Sequence, residues 1–315
     1  MRVIPTPPPD TDADLLTAFR RHLVARDLAP ATVQAYLHDL ARFHTWLASV
    51  HEGTAPLLIH VRTVDLTAFR TYLIHEQAHT SATVNRRLQG LRLLFRWLSD
   101  CHWIPENPAA NLRFMRKSGT PQPLALRRRE VLALVHAAAA SPHGLAPRNV
   151  ALVQLMLQAG LRVGEVTALI HADLHLQARS GTVHVRDGKG RKARDIPLNA
   201  TVRRALQDYL GTLPEMSAQT PVFLSKRGTS LAVRSAQAVI ARLAVHAGIQ
   251  RIPVSAHTLR HTFAVHYLQR HPGKLRDLAD LLGHESLDTT AVYTKPSHDD
   301  VAADLARSPL NVFDL

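Results

Sequence analysis

The sequence predicts a mainly α-helical protein with a small antiparallel β-sheet, an α+β chain built in two segments. Three observations carry that expectation. Apolar residues recur at spacings of three and four along most of the 315 residues. One short stretch, "GTVHVRDGKGRKARDIPL", alternates at period two around a Gly-rich turn instead. A proline-bearing span, "CHWIPENPAANLRFMRKSGTPQPL", interrupts the helical pattern between the two segments.

Residues 1–10, "MRVIPTPPPD", read as a loose tail without the apolar core of a secretory signal. Residues 11–103 read as a helical domain. Helices are expected at 11–26 and 64–78, flanking a third in which Val33, Leu37, Leu40, Phe43 and Leu47 share one face behind Pro30 at the helix start. In "SATVNRRLQGLRLLFRWL" a fourth helix places Val84, Leu88, Leu91, Phe95 and Leu98 on one face. Arg86, Arg87, Arg92 and Arg96 ride on the rest, as a basic helix laid along DNA phosphates would present them; an ordinary solvated face is the plainer reading. Residues 104–123 read as a linker, and 124–315 as a second domain. It begins with the helices "RREVLALVHAAAA" and "RNVALVQLMLQAG", the latter closed by Gly160 as a C-cap. Val183 and Val185 then alternate into a β-hairpin whose turn lies at Gly188 to Gly190, and helices resume to the C-terminus.

A hydrophobic content of 46% indicates a folded chain rather than a disordered one. No apolar run approaches the roughly 18 residues that span a bilayer, so no membrane association is expected. One cysteine, Cys101, excludes an internal disulfide framework and a Cys-based zinc site, and with it the expected location is the cytoplasm. Cys101 sits at the end of an apolar helical pattern and reads as structural. The formal charge of +13 points to a polyanionic partner, nucleic acid above all. Of the 38 basic residues only six are Lys, so a Lys at a special position draws notice.

The candidate chemistry gathers in four places. In "VSAHTLRHTFAVHYL", Ser255 suits an N-cap and Leu259, Phe263 and Tyr267 form the buried stripe. His257 and Arg260 then share the opposite face near a helix N-terminus, a setting that suits a phosphate. His257, His261 and His266 do not make a zinc site, because His266 lies well round the helix and no HExxH occurs. In "QAGLRVGEVTAL", Arg162 stands in a tight turn with Glu165 three residues on, able to fix it by an ion pair. Lys189 occupies the hairpin tip, where a mobile ammonium reaches a ligand or delivers a proton. Finally "LLGHESLDTTAVYTKP" holds His284 and, nine residues later, Tyr293 among neighbours too polar for a core.

Taken together, "AGLRVGEV", "DGKGRKARDIPL", "HTLRHTFAVHYL" and "LGHESLDTTAVYT" resemble, in order and spacing, the tyrosine recombinases, and most of all their Xer-like and phage-integrase branch. "LAPATVQAYLHDLARFHTWL" resembles that family's DNA-clamping core-binding domain, so the resemblance covers nearly the whole chain after residue 10. It implies a catalytic set of Arg162, Lys189, His257, Arg260, His284 and the nucleophile Tyr293, with Glu165 in support. Lys192 remains an alternative to Lys189. It implies a site-specific DNA recombinase whose phenol forms a 3′-phosphotyrosyl bond, so that rejoining needs no ATP, and no cofactor or metal. The implied partners are double-stranded DNA with an inverted-repeat site and further copies in a tetramer, with a second recombinase left open. The apolar end "VAADLARSPLNVFDL" is expected to join protomers. Two other readings stand beside this one: a catalytically silent DNA-binding protein of the same fold, and a topoisomerase of related mechanism.

Overall fold

A computed structural model describes residues 7–51, 56–116, 124–186, 193–283, 287 and 290, arranged in two compact units, Met1–Thr120 and Pro121–Leu315.

The first unit holds helices α1 (Asp12–Ala25), α2 (Pro30–Val50), α3 (Thr63–His75) and α4 (Ser81–Asp100). Thr11 accepts a hydrogen bond from the Asp14 amide and starts α1; Pro30, which lacks an amide hydrogen to satisfy, starts α2. Phe19, Phe43, Phe69 and Phe95, one from each helix, are completely or almost completely buried at the centre. Phe43 and Phe69 meet edge to face with centroids 5.0 Å apart. Each such ring contributes roughly 1.5–3 kcal/mol by leaving water.

Two expectations for this unit need correction. Residues 104–116 are not linker but a strap packed on the helices. Ile104, Ala109 and Leu112 are buried in the same core, and Asn85 pairs both its amide groups with the Met115 backbone at 2.8 and 2.9 Å. The prolines break the helix, yet the apolar residues between them still find a core. Nor do the four arginines of α4 form one solvated face. Arg87 is buried 3.7 Å from the equally buried Asp39, which Arg86 also engages. Arg92 donates to the Leu112 carbonyl at 2.6 Å and lies over the Phe114 ring. Arg96 is exposed, Arg86 keeps its outer part in solvent, and Arg92 is half-buried. Burial and the neighbouring Asp100 charge push the Cys101 thiol up, in keeping with a structural role.

The second unit holds α5 (Arg128–Ala139), α6 (Ala146–Ala159), the five-residue α7 (Val163–Thr167), α8 (Ala200–Leu210), α9 (Val233–His246), α10 (Ala256–Arg270) and α11 (Leu275–Leu282). Its core surrounds α6, of which Leu152, Val153, Leu155 and Met156 are fully buried. Between α7 and α8 lies an antiparallel sheet in the order β1 (Leu174–Leu176), β2 (Gly181–Val185), β3 (Arg194–Pro197). The expected hairpin is β2 with β3, in a register that sets Val185 opposite Arg194 and Val183 opposite Ile196. The β1 strand is an addition; three residues are too few for alternation to mark. The hairpin turn, Gly188 to Gly190, lies outside the described residues.

Candidate active site

The site is built where three chain breaks meet. Gly160 ends α6 in the left-handed region at φ 66°, the position where a side chain is strained. The chain then needs only Leu161 before Arg162, which sits as the N-cap of α7 in extended conformation. The Arg162 amide donates to Glu165 Oε2 at 2.8 Å while its guanidinium Nη1 donates to Oε1, also at 2.8 Å. One carboxylate three residues on thus fixes both backbone and side chain, as the sequence suggests.

Glu165 has more partners than that. Its side chain is 6% exposed, and Arg194, from the start of β3, grips it with a two-pronged fork. Arg194 Nη1 lies 3.1 Å from Oε1 and Nη2 lies 2.9 Å from Oε2. Arg260 Nη1 approaches Oε2 to 3.9 Å. Burial pushes the Glu165 carboxyl up, but the Arg194 fork, the Arg162 amide and both guanidinium charges outweigh it and hold the carboxyl below its usual range.

The same three arginines also read the end of α11. Arg194 Nε donates to the Leu281 carbonyl at 2.9 Å, Arg260 Nη2 to Leu282 at 2.7 Å, and Arg162 Nη2 reaches Gly283 at 3.4 Å. Three consecutive carbonyls at a helix C-terminus, where the helix dipole is negative, therefore each face one guanidinium. Arg260 Nη1 closes the arrangement by donating to the Gly160 carbonyl at 2.7 Å.

Arg260 corrects the expectation for α10. It does not share a solvated face with His257 but is 3% exposed, inside the unit beside the fully buried Leu259. Two helix C-termini supply the carbonyls that make this burial tolerable. His257 lies in the first turn of α10, whose N-cap Ser255 accepts from the Thr258 amide at 3.3 Å. Its ring keeps an edge in solvent. Crowding by the surrounding protein, then the positive Arg260 and Arg162, push the imidazole below its usual value, so it is neutral at neutral pH. His261, one helical turn on from His257, is buried. Among the described residues no group of three or more His, Cys, Asp or Glu is arranged to hold a metal ion.

The structure therefore brings together Arg162, Glu165, Arg260 and His257. Lys189, Lys192, His284 and Tyr293 lie outside the described residues. Their flanks are described: β2 ends before Lys189 and β3 begins after it in the sequence, and Gly283 directly precedes His284. Sequence reasoning missed Arg194. The signal was present, because Ile196 is the core-facing residue of β3 and a residue two positions away lies on the same face.

The profile of the Phage integrase family matches residues 125–299, and that of the phage integrase N-terminal SAM-like domain matches residues 15–104. Tyrosine recombinase XerC of Alcanivorax borkumensis is 34% identical over 89% of this chain and 88% of its own length. Tyrosine recombinase XerC of Pelobacter propionicus is 35% identical over 93% of this chain and 96% of its own. Among solved structures, the XerH site-specific recombinase in a post-cleavage complex with palindromic difH substrate superposes with a TM-score of 0.73. That match covers 95% of this chain and 85% of the other; at 22% identity it speaks for the fold alone. This chain belongs to the phage integrase family as a tyrosine-type site-specific DNA recombinase. Within the family it falls in the Xer-like branch.

Proposed function

We propose that this recombinase cleaves one DNA strand by attack of the Tyr293 hydroxyl on a phosphodiester, with Arg162, Lys189, His257, Arg260 and His284 as its catalytic partners. The observation that carries the reading is the charge around Glu165: among the described residues, three guanidiniums against one carboxylate leave a surplus of two positive charges. A phosphodiester carries one negative charge, and the five-coordinate transition state of attack carries two across its non-bridging oxygens. The surplus is thus matched to the transition state rather than to the ground state. His257, neutral at neutral pH, does not change that count and is able to accept the phenol proton.

In this reading the new bond joins Tyr293 Oη to phosphorus at the 3′ end. The bond to the 5′-oxygen breaks, and Lys189 supplies that oxygen with a proton. Arg162 and Arg260 hold the non-bridging oxygens, and His284, next to the Gly283 carbonyl that Arg162 approaches, adds a hydrogen bond to them. The reverse attack by a 5′-hydroxyl restores the phosphodiester without ATP. The substrate is double-stranded DNA with an inverted-repeat site, bound in the cytoplasm by a tetramer. The N-terminal unit clamps the duplex, and the end of the chain, with Leu305, Leu310, Val312 and Phe313, joins protomers.

A nicked substrate whose short 5′ fragment diffuses away traps the covalent product on a denaturing gel. The wild-type protein gives a shifted band. Arg260→Ala gives a faint one, on the order of 10²–10³-fold slower, the loss typical of one oxyanion donor. Tyr293→Phe gives none. A full-strength band from Tyr293→Phe overturns the assignment of the nucleophile.

A further inference from the structure

We propose that Arg194 is a positioning residue for strand cleavage: by holding Glu165 and the C-terminus of α11 together, it sets the placement of the guanidiniums of Arg162 and Arg260. The inference rests on the reading of the site given above and deepens it.

Each of its three guanidinium nitrogens is engaged. Nε donates to the Leu281 carbonyl at 2.9 Å, and Nη1 and Nη2 take one Glu165 oxygen each at 3.1 and 2.9 Å. The side chain is only 10% exposed, against 31% for Arg162. Arg194 is therefore directed at the protein, whereas Arg162 keeps an open side. The helix end is shaped around it as well. A Cβ at Gly283 would lie 3.0 Å from Arg194 Nη1 and 3.1 Å from Cζ, closer than carbon normally comes, and Gly283 is left-handed at φ 63°.

Three parts of the site converge on this one residue. Its backbone pairs with that of Val185 between β2 and β3, the two strands that flank Lys189 in the sequence. It grips Glu165, which fixes Arg162. It also holds the first of the three α11 carbonyls, and Arg260 and Arg162 meet the other two. Its charge matters in addition. Without it, the ion pairs among the described residues, Arg162 and Arg260 against Glu165, leave a surplus of one, matched to the ground-state phosphodiester instead of the transition state. Both Glu165 oxygens would then compete for Arg162 and for Arg260, which now stands 3.9 Å away. Lysine cannot replace it, because a single ammonium does not form the fork and reach Leu281 at once.

The test uses the full chain and two nicked substrates, one with an ordinary scissile phosphodiester and one with a methylphosphonate there. The methylphosphonate lacks one charged non-bridging oxygen and so asks less of the guanidiniums. Single-turnover cleavage, DNA affinity and thermal unfolding are measured for the wild type, Arg194→Lys, Glu165→Gln and the double variant. Arg194→Lys is expected to bind DNA within about twofold of wild type and to cleave the phosphodiester on the order of 10–100-fold more slowly, the scale of a small misplacement of catalytic groups. The loss should shrink several-fold on the methylphosphonate. In the Glu165→Gln background, Arg194→Lys should cost little more, because the two act as a unit.

Wild-type cleavage by Arg194→Lys overturns the inference. So does an equal loss on both substrates, which marks a merely structural residue. If Arg194→Lys melts early, Arg194→Gln carries the same substrate comparison, judged as a ratio on the folded fraction. Wild-type protein that forms no covalent complex, or Tyr293→Phe that does, overturns the underlying reading of the site; a Tyr293-dependent complex that ignores Arg194 overturns only this inference.

Discussion

Replacing Gly160 by Ala tests how the first turn of the site is held. The residue sits at φ 66°, where an L side chain costs about 1–2 kcal/mol. An added Cβ would lie 2.4 Å from Phe263 Cδ1 and 2.7 Å from Cε1, and 3.0 Å from Leu282 Cδ2. Something has to move, and overpacking of this kind costs about 1–3 kcal/mol. The expected destabilisation of the second unit is therefore about 2–5 kcal/mol, a large share of the ~5–15 kcal/mol typical of a domain. The assay separates the two units because all three tryptophans, Trp46, Trp97 and Trp103, belong to the first. Urea unfolding followed by circular dichroism should lose its later-unit amplitude at lower denaturant in Gly160→Ala, while the tryptophan fluorescence transition stays nearly in place. Adding Phe263→Leu should recover the packing share and leave the backbone share. Cleavage should fall as well, because the Gly160 carbonyl accepts the 2.7 Å hydrogen bond from Arg260. A circular dichroism transition within about 0.5 kcal/mol of wild type would refute the reasoning.

Three further outcomes follow from the same geometry. Arg87→Met removes a buried partner of Asp39 and should destabilise the first unit by about 1–3 kcal/mol, whereas Arg96→Ala, which is exposed, should leave stability unchanged and lower the salt slope of DNA binding by about one; equal effects of the two on urea midpoints would contradict this. Lowering pH should weaken the fold below about pH 6.5, where unfolded imidazole binds a proton. His22, His79, His257 and His266 all have values depressed chiefly by burial, so the unfolded chain takes up those protons first. Urea midpoints at pH 7.5 and 5.5 check the sign, and an unchanged or higher midpoint at the lower pH is the contrary result. Cleavage should also be indifferent to EDTA, since guanidiniums meet the phosphate charge; activity lost to EDTA and restored by magnesium would count against that role.

Much of the fold was legible because helical periodicity is a local property. The stripe Val84, Leu88, Leu91, Phe95, Leu98 is buried along its whole length. Gly160 was legible because an apolar helix stops on it, and Glu165 because a carboxylate three residues from Arg162 has an obvious reach. What was not legible depends on partners distant in sequence. A helical wheel places Arg260 outside, and it is drawn inside by the Gly160 carbonyl, 100 residues away, and that of Leu282. Arg87 is drawn in by Asp39 of α2 in the same manner. The strap 104–116 contains breakers that read as linker, but Asn85 and Arg92 supply the hydrogen bonds its backbone needs.

The division of labour among the cations follows from their chemistry. A guanidinium does not release its proton in a protein, so it serves where charge must stay fixed through the reaction. It is also weakly hydrated and planar, so it tolerates the interior that Arg260 occupies at 3% exposure. A leaving 5′-oxygen needs the opposite property, a cation able to give its proton away. In a chain with only six lysines among 38 basic residues, Lys189, which stands between two glycines in the sequence, is the one to which the mechanism proposed above gives that proton. The positive charge around Glu165 is also partly offset within the protein. The three α11 carbonyls and that of Gly160 present partial negative charge to the same guanidiniums, enough to hold them in place but less than the two full charges of the transition state. The fold thus organises its arginines through its own carbonyls and Glu165, and in the proposed mechanism the last part of their electrostatic demand is met as the phosphorus is attacked.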